Sequence, residues 1–223
     1  MHALSRARSR LALVLLAALL AVSASGDPAV QAPAAAEPAA AAATPSQTID
    51  ALHASLLDVM KNAVALGYAG REQKLRTVIP KYFDVDEMAR QSLGGQQWKA
   101  ASEDAKRRYL ATFERFMVAN YAGRFDGFSG QSFETLGEVP GPRDTVIVKS
   151  RLLDPTDKNI DLNYRMHRVD GGWKVIDVYL NGSVSELALR RSEFVSIVKR
   201  ENLDALLVAL DAKIAKLAAG GES

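Results

Sequence analysis

The chain has 223 residues, with 28 Lys and Arg against 26 Asp and Glu, 48% apolar residues, 7% aromatics and no cysteine, values near the average for a soluble globular protein. Low-complexity, collagen-like and wholly disordered chains are excluded, and the lack of cysteine removes thiol catalysis, iron–sulfur clusters, thiolate zinc sites and disulfides. Arg6, Arg8 and Arg10 lie in a first stretch of 25 residues without an acid; without them 25 basic residues face 26 acidic ones, which leaves no basic patch to displace counterions from nucleic acid.

That first stretch has the layout of an export signal. A basic segment runs to Arg10, twelve apolar residues follow from Leu11 to Val22, and small residues follow at Ser23, Ala24, Ser25 and Gly26. A bilayer span needs about 20 apolar residues, so the expectation is a cleaved signal peptide at residues 1–25 and a mature protein in the periplasm of a bacterium with two membranes. Residues 27–46 hold ten Ala and four Pro, too little apolar bulk to offset ordering entropy, and residues 26–46 are expected to form a flexible tether. Residues 47–219 remain for a single domain, followed by a short tail at 220–223.

Ile49, Leu52, Leu56, Met60 and Val64 recur at spacings of three and four, predicting a helix that ends near Gly67. A second helix from about Arg71 carries Leu75, Val78 and Ile79 and is expected to stop around Pro80. Asp84 and Glu87 resemble a capping box in front of a helix over Val85–Leu93 that ends at Gly94-Gly95. Ser102, followed by Glu103 and Asp104, starts a long helix whose stripe is Tyr109, Leu110, Phe113, Met117 and Tyr121.

The period then changes from helical to alternating. Ile160, Leu162, Tyr164 and Met166 alternate with Asp161, Asn163, Arg165 and His167, the signature of a strand with one wet face. Segments from Ser132 to Val139, Thr145 to Leu152 and Trp173 to Leu180 flank it, joined through turn residues at Pro140-Gly141-Pro142, Asp154-Pro155 and Asp170-Gly171-Gly172. After Asn181-Gly182 two more helices follow, the last over Leu203–Leu217 with Leu206, Leu207, Leu210 and Ile214 as its stripe. The fold class expected is α+β: a curved four-stranded antiparallel sheet covered on one face by helices from both ends of the chain.

Chemistry-bearing groups are sparse. Apart from His2 in the signal segment, the histidines are His53, beside a helical apolar stripe, and His167, on the polar side of its strand; both read as structural. Asp157, Asn159 and Asp161 have the alternating oxygens that open a calcium loop, but Leu162 replaces the required glycine and Arg168 the closing glutamate, so no metal or cofactor is expected. Asp177 interrupts an apolar strand. Either it is the general base of a small cone-shaped dehydratase or isomerase, or it pairs with Arg190 or Arg191; the lack of a second acid or histidine of matching parity favours the pair. Aromatics and methionines concentrate on the long helix and on one sheet face, as either a filled core or a ligand cavity would require.

The run Phe83-Asp84-Val85-Asp86-Glu87-Met88-Ala89-Arg90, with Trp98, Gly171-Gly172-Trp173-Lys174-Val175-Ile176-Asp177-Val178 and Arg191-Ser192-Glu193-Phe194, resembles the toluene-tolerance or MlaC family of periplasmic lipid-binding proteins. Residues 121–128 and 179–188 are more similar to its hopanoid-associated HpnM branch. The resemblance implies a non-enzymatic carrier that encloses the apolar part of a hopanoid or phospholipid in a cavity between sheet and helices and moves it between inner and outer membranes. It would be a monomer that docks transiently on an inner-membrane transporter and an outer-membrane acceptor. Exposing a sixteen-carbon tail to water costs about 12 kcal/mol at about 0.8 kcal/mol per methylene, so a carrier must cover it. The lining expected is Met88, Phe113, Met117, Tyr121 and Phe125 from the helices. From the strands come Val146 and Val148, then Leu162, Tyr164 and Met166, then Val175 and Tyr179.

Overall fold

The structure, a computed structural model, describes residues 43–220. The expected signal segment and the greater part of the expected tether lie outside the described residues. In chain order the elements are α1 (Pro45–Lys61), α2 (Ala63–Tyr82), α3 (Val85–Leu93), α4 (Gly95–Ala100), α5 (Glu103–Arg124), β1 (Ser132–Pro140), β2 (Val146–Leu153), β3 (Ile160–Val169), β4 (Gly172–Leu180), β5 (Val184–Ser185), α6 (Glu186–Arg200) and α7 (Leu203–Ala218). The class is α+β, as expected, but the antiparallel sheet has five strands in the order β1-β2-β3-β4-β5 and is open. The fifth strand is two residues long and pairs with Tyr179 and Leu180 of β4 across the Asn181-Gly182 turn, where both residues take positive φ.

Local chemistry sets the helix boundaries. Helix α1 begins at Pro45, two residues before the expected domain start, because Thr44 makes a reciprocal capping box with Gln47. It ends at Lys61, where Asn62 turns its side-chain amide back onto Asp58; beyond that turn Val64 is 95% exposed and leaves the expected stripe, and the helical run is interrupted again at Gly67, the expected position, by its positive φ of 57°. Helix α2 runs through Pro80 to Tyr82. One backbone hydrogen bond is forfeited there, but continuing the helix buries Tyr82 and Phe83, and Lys174 donates to the Pro80 carbonyl. Asp84 caps α3 by accepting from the Glu87 N–H, yet Glu87 does not reach back. The Asp84 N–H already donates to the Val175 carbonyl, and Glu87 instead pairs with Arg90 and accepts from Gln91.

The core lies between the helices and one face of the sheet. Ile49, Leu52 and Leu56 of α1, Leu75 and Ile79 of α2, and Val148, Met166 and Val175 of the strands are fully buried there. Helices α1, α2, α3 and α6 pack on the strands, whereas α5 packs chiefly on α2, α3 and α7. Gly123 permits the α5–α7 approach: a Cβ there would lie 2.9 Å from Leu217 Cδ2.

Two bulges shape the sheet. Between β3 and β4 the pairs Met166–Val175 and Arg165–Asp177 leave Ile176 as an extra residue, so the alternation of β4 reverses at that point. Val175 faces the helices before the bulge, and Val178 and Leu180 face them after it.

His53 of α1 joins helix layer to sheet. It is 3% exposed, its Nε2 lies 3.2 Å from the Tyr164 hydroxyl, and its ring stacks on Phe133 at 4.0 Å. Burial pulls its pKa from 6.5 to about 4, against the opposing pull of Asp50. Because the folded value is the depressed one, the neutral ring is fully accommodated above pH 6.5. As pH falls from 6.5 to about 4 the unfolded chain takes up a proton that the folded chain refuses, so about 3 kcal/mol of stability should be lost across that window. Urea unfolding of the protein and of His53→Phe at pH 7 and pH 4 checks this: their stability difference should shift by that amount in favour of the variant at the lower pH, and a difference independent of pH would contradict it.

Candidate functional site

A cavity of about 500 Å³ opens between α5 and the strands β3 and β4, closed at the sides by α3 and α6. Its floor is Leu162 and Tyr164 of β3 with Val178 and Leu180 of β4, and its roof is Met117 and Tyr121 of α5. Met88 of α3 and Leu187 of α6 close the deep end, where both are almost fully buried. Phe125 stacks on Tyr121, with ring centroids 5.5 Å apart, and Tyr121 in turn meets the edge of Phe83. Toward solvent the lining includes Ile160, 37% exposed, and Asn181 in the β4–β5 turn. A largely apolar wall with a few polar groups at one side is the usual form of a small-ligand site.

The polar groups are Asn120 and Arg124 of α5 with Glu186 and Arg190 of α6. Both guanidiniums converge on the same carboxylate oxygen, Glu186 Oε2, at 3.3 Å from Arg190 and 3.8 Å from Arg124. Arg190 also lies over the Phe116 ring, 4.7 Å from its centroid, and burial lowers its pKa against the favourable field of Glu186. Burial raises the pKa of the Tyr121 and Tyr164 phenols, so both are neutral hydroxyls in the cavity wall at ordinary pH.

Of the residues expected to line a cavity, Met88, Met117, Tyr121, Phe125, Leu162 and Tyr164 do so. The other six lie elsewhere. Phe113 is one turn too early on α5 and is buried against Tyr109 and Phe194 in the contact with α6. Val146, Val148 and Met166 sit at the end of the sheet where helices close directly onto it, and Val148 and Met166 are fully buried in packed core. Val175 is likewise fully buried, where its backbone is bridged to Phe83. Tyr179 shares strict parity with Val175, but the Ile176 bulge turns it away and places Val178 and Leu180 on the cavity side instead.

Sequence reasoning missed the polar groups, although one signal was available. Leu187, Arg190 and Phe194 follow spacings of three and four on α6, so Arg190 occupies a position on the buried stripe of that helix. The two lone histidines and the acid motif have structural partners. His167 Nε2 lies 2.9 Å from Asp84 Oδ2; Asp161 pairs with Arg151, and Asn159 accepts from the Asp154 N–H. No cluster of three potential metal-ligating His, Asp or Glu side chains occurs among the described residues.

Asp177 pairs with neither Arg190 nor Arg191. Its carboxylate accepts from the Leu187 N–H at 3.1 Å and the Ser185 hydroxyl at 2.7 Å, while Ser185 itself caps α6 by accepting from the Ala188 N–H. It is 3% exposed and is not part of the cavity lining. The carboxylate therefore fastens the N-terminus of α6 to β4, which positions Glu186, Leu187 and Arg190 over the cavity. Asp177→Ala should destabilise the fold by about 2 kcal/mol, from a lost cap and an orphaned buried N–H. Asp177→Asn, which keeps one acceptor oxygen, should lose less than half as much in denaturant unfolding. Equal losses for both variants would contradict the capping role.

No curated protein sequence matches the chain. The fold is similar to that of a phospholipid-binding protein from Ralstonia solanacearum, solved in complex with a phospholipid, with a TM-score of 0.67 and 22% sequence identity over 79% of this chain and 99% of that one. The model of the family described as MlaC protein matches residues 50–212, a span that runs from within α1 to within α7 and takes in every residue of the cavity wall. The chain belongs to the MlaC protein family.

Proposed function

We propose that the protein is a non-enzymatic lipid carrier of the periplasm that holds the apolar part of a lipid between α5 and the β3–β4 floor. The observation that carries this reading is the cavity itself: about 500 Å³, walled by Met88, Met117, Leu162, Val178 and Leu187, in a protein of a lipid-binding family. A phospholipid-binding relative with the same fold supports it. The cargo is a hopanoid or a phospholipid, taken up from an inner-membrane transporter and released to an outer-membrane acceptor, each by transient docking of the monomer. Leaving one membrane for the other requires covering the tail, and the almost fully buried Met88 and Leu187 in the cavity wall support such cover. The contacts of Asp177 favour this over the dehydratase or isomerase reading, because the carboxylate is engaged by an N–H and a hydroxyl away from the cavity.

Lipid extracted from protein purified out of its native envelope tests the reading, with Leu162 and Asn163 as paired probes. Leu162 lies in the cavity floor, and its neighbour Asn163 points the other way, toward the Gly182 carbonyl. Leu162→Asp places an unpaired carboxylate against apolar surface, where it costs several kcal/mol, and should empty the protein of lipid. Leu162→Trp should lower lipid occupancy with little change in melting temperature. Asn163→Asp should retain the lipid of the unaltered protein. Lipid-free unaltered protein, or loss from the Asn163 variant alone, would overturn the reading.

A further inference from the structure

The charged cluster at the side of the cavity is out of place in a wall built only to hold hydrocarbon. Arg190 is 14% exposed and Glu186 18% exposed at their side chains, and Arg124, at 46%, leads outward. Two guanidiniums share one carboxylate oxygen, and the 3.8 Å separation of Arg124 is an ion pair without a hydrogen bond. The other carboxylate near Arg190 is Glu193, which is paired with Lys213. Two guanidiniums therefore meet one carboxylate at the cavity wall, the second of them half exposed and screened by water, and neither is neutralised by losing a proton.

A guanidinium in excess of its carboxylates beside apolar surface is stabilised by a further opposite charge. Two planar forks converging from α5 and α6 are the arrangement that grips a phosphate or carboxylate at two oxygens. The Asn120 amide, on a residue 3% exposed, adds polar capacity to the same wall. We infer that Arg124 and Arg190, bridged by Glu186, form a head-recognition subsite that selects amphiphiles carrying an anionic group, a phosphate ester or a carboxylate, directly next to the apolar body. The inference rests on the proposed lipid-carrier reading and adds a selection among lipids: a neutral polycyclic lipid leaves two guanidiniums to one carboxylate, and an anionic one adds the second. Glu186 acts as a tuning group. It keeps the arginines ordered in the absence of cargo and competes with the lipid anion for them.

Binding to the delipidated full chain, read by native mass spectrometry and by displacement of a fluorescent acyl chain, tests this with dioleoyl phosphatidylglycerol and dioleoylglycerol, which share tails and differ in the phosphate. Charge-assisted hydrogen bonds contribute enough that the phosphatidylglycerol should bind about tenfold tighter or more. Arg124→Gln should reduce that ratio to about threefold or less. Glu186→Gln frees both arginines and should tighten phosphatidylglycerol binding, whereas a merely structural carboxylate would weaken it when removed; weakening with an unchanged melting temperature overturns the inference. Equal affinity for the two lipids overturns it while leaving the carrier reading intact, and failure of both to bind overturns it too, the carrier reading then standing or falling on the lipid extracted from the native envelope. Inorganic phosphate at millimolar concentration should displace neither lipid; displacement would identify a free-anion site instead and overturn head recognition.

Discussion

The cavity depends on α5 being held away from the sheet by other helices. Met117 and Tyr121 face the strands across open space because the opposite sides of α5 are fastened to α2, α3 and α7. Arg71 of α2 donates to the Ala122 carbonyl, Ser92 of α3 is hydrogen bonded to Tyr109, and Arg108 and Arg115 pair with Asp204 and Asp211 of α7. The exposed ion pairs contribute little each; the close approach of Leu217 to Gly123 and the buried Phe113, Phe116 and Phe194 contacts carry more. A cavity of about 500 Å³ kept rigid and dry would cost at most about 12 kcal/mol at about 24 cal/mol per Å³. That is the size of the gain from covering one sixteen-carbon tail and of the whole stability of a typical domain. A scaffold that holds its helix apart and an apolar occupant therefore suit one another energetically.

Where each half of the molecule was legible from sequence follows the strength of its periodicity. The β3 alternation correctly separates Leu162 and Tyr164 from Asn163, and the stripe of α5 reaches the roof at Met117 and Tyr121. Neither pattern contains the Ile176 bulge, since one unpaired residue leaves no mark on an apolar run such as Val175-Ile176, and the face of β4 reverses there. Strand β5 has two residues and no period to detect. The helical continuation through Pro80 was hidden for a different reason: burial of Tyr82 and Phe83 and the Lys174 contact are tertiary effects that override a local breaker. Apart from Tyr179, which the bulge turns to the other face, the expected lining residues that lie elsewhere share one cause. Apolar identity marks the core face, but only the separation of α5 from the sheet decides where that face is filled and where it is left open.

The polar side of the cavity shows how a short linkage places chemistry. Asp177 of β4, Ser185 and the first turn of α6 form a continuous hydrogen-bonded junction. From that junction Glu186, Leu187 and Arg190 project over the cavity as one face of α6. A carboxylate that from sequence could have been a base or an ion-pair partner thus serves to aim a helix, and the aimed helix supplies the charges that distinguish this cavity from a simple apolar pocket.

The central claim, that a lipid tail occupies the space between α5 and the β3–β4 floor, is tested most directly by intermolecular NOEs between the methionine methyls and a bound acyl chain, which require near contact. Met88 and Met117 line the cavity, whereas Met166 lies in packed core and Met60 is buried on α1. The Met88 and Met117 methyls are expected to show NOEs to the chain while those of Met60 and Met166 show none. NOEs to Met60 or Met166 with none to Met88 and Met117 would place the tail elsewhere and contradict the claim.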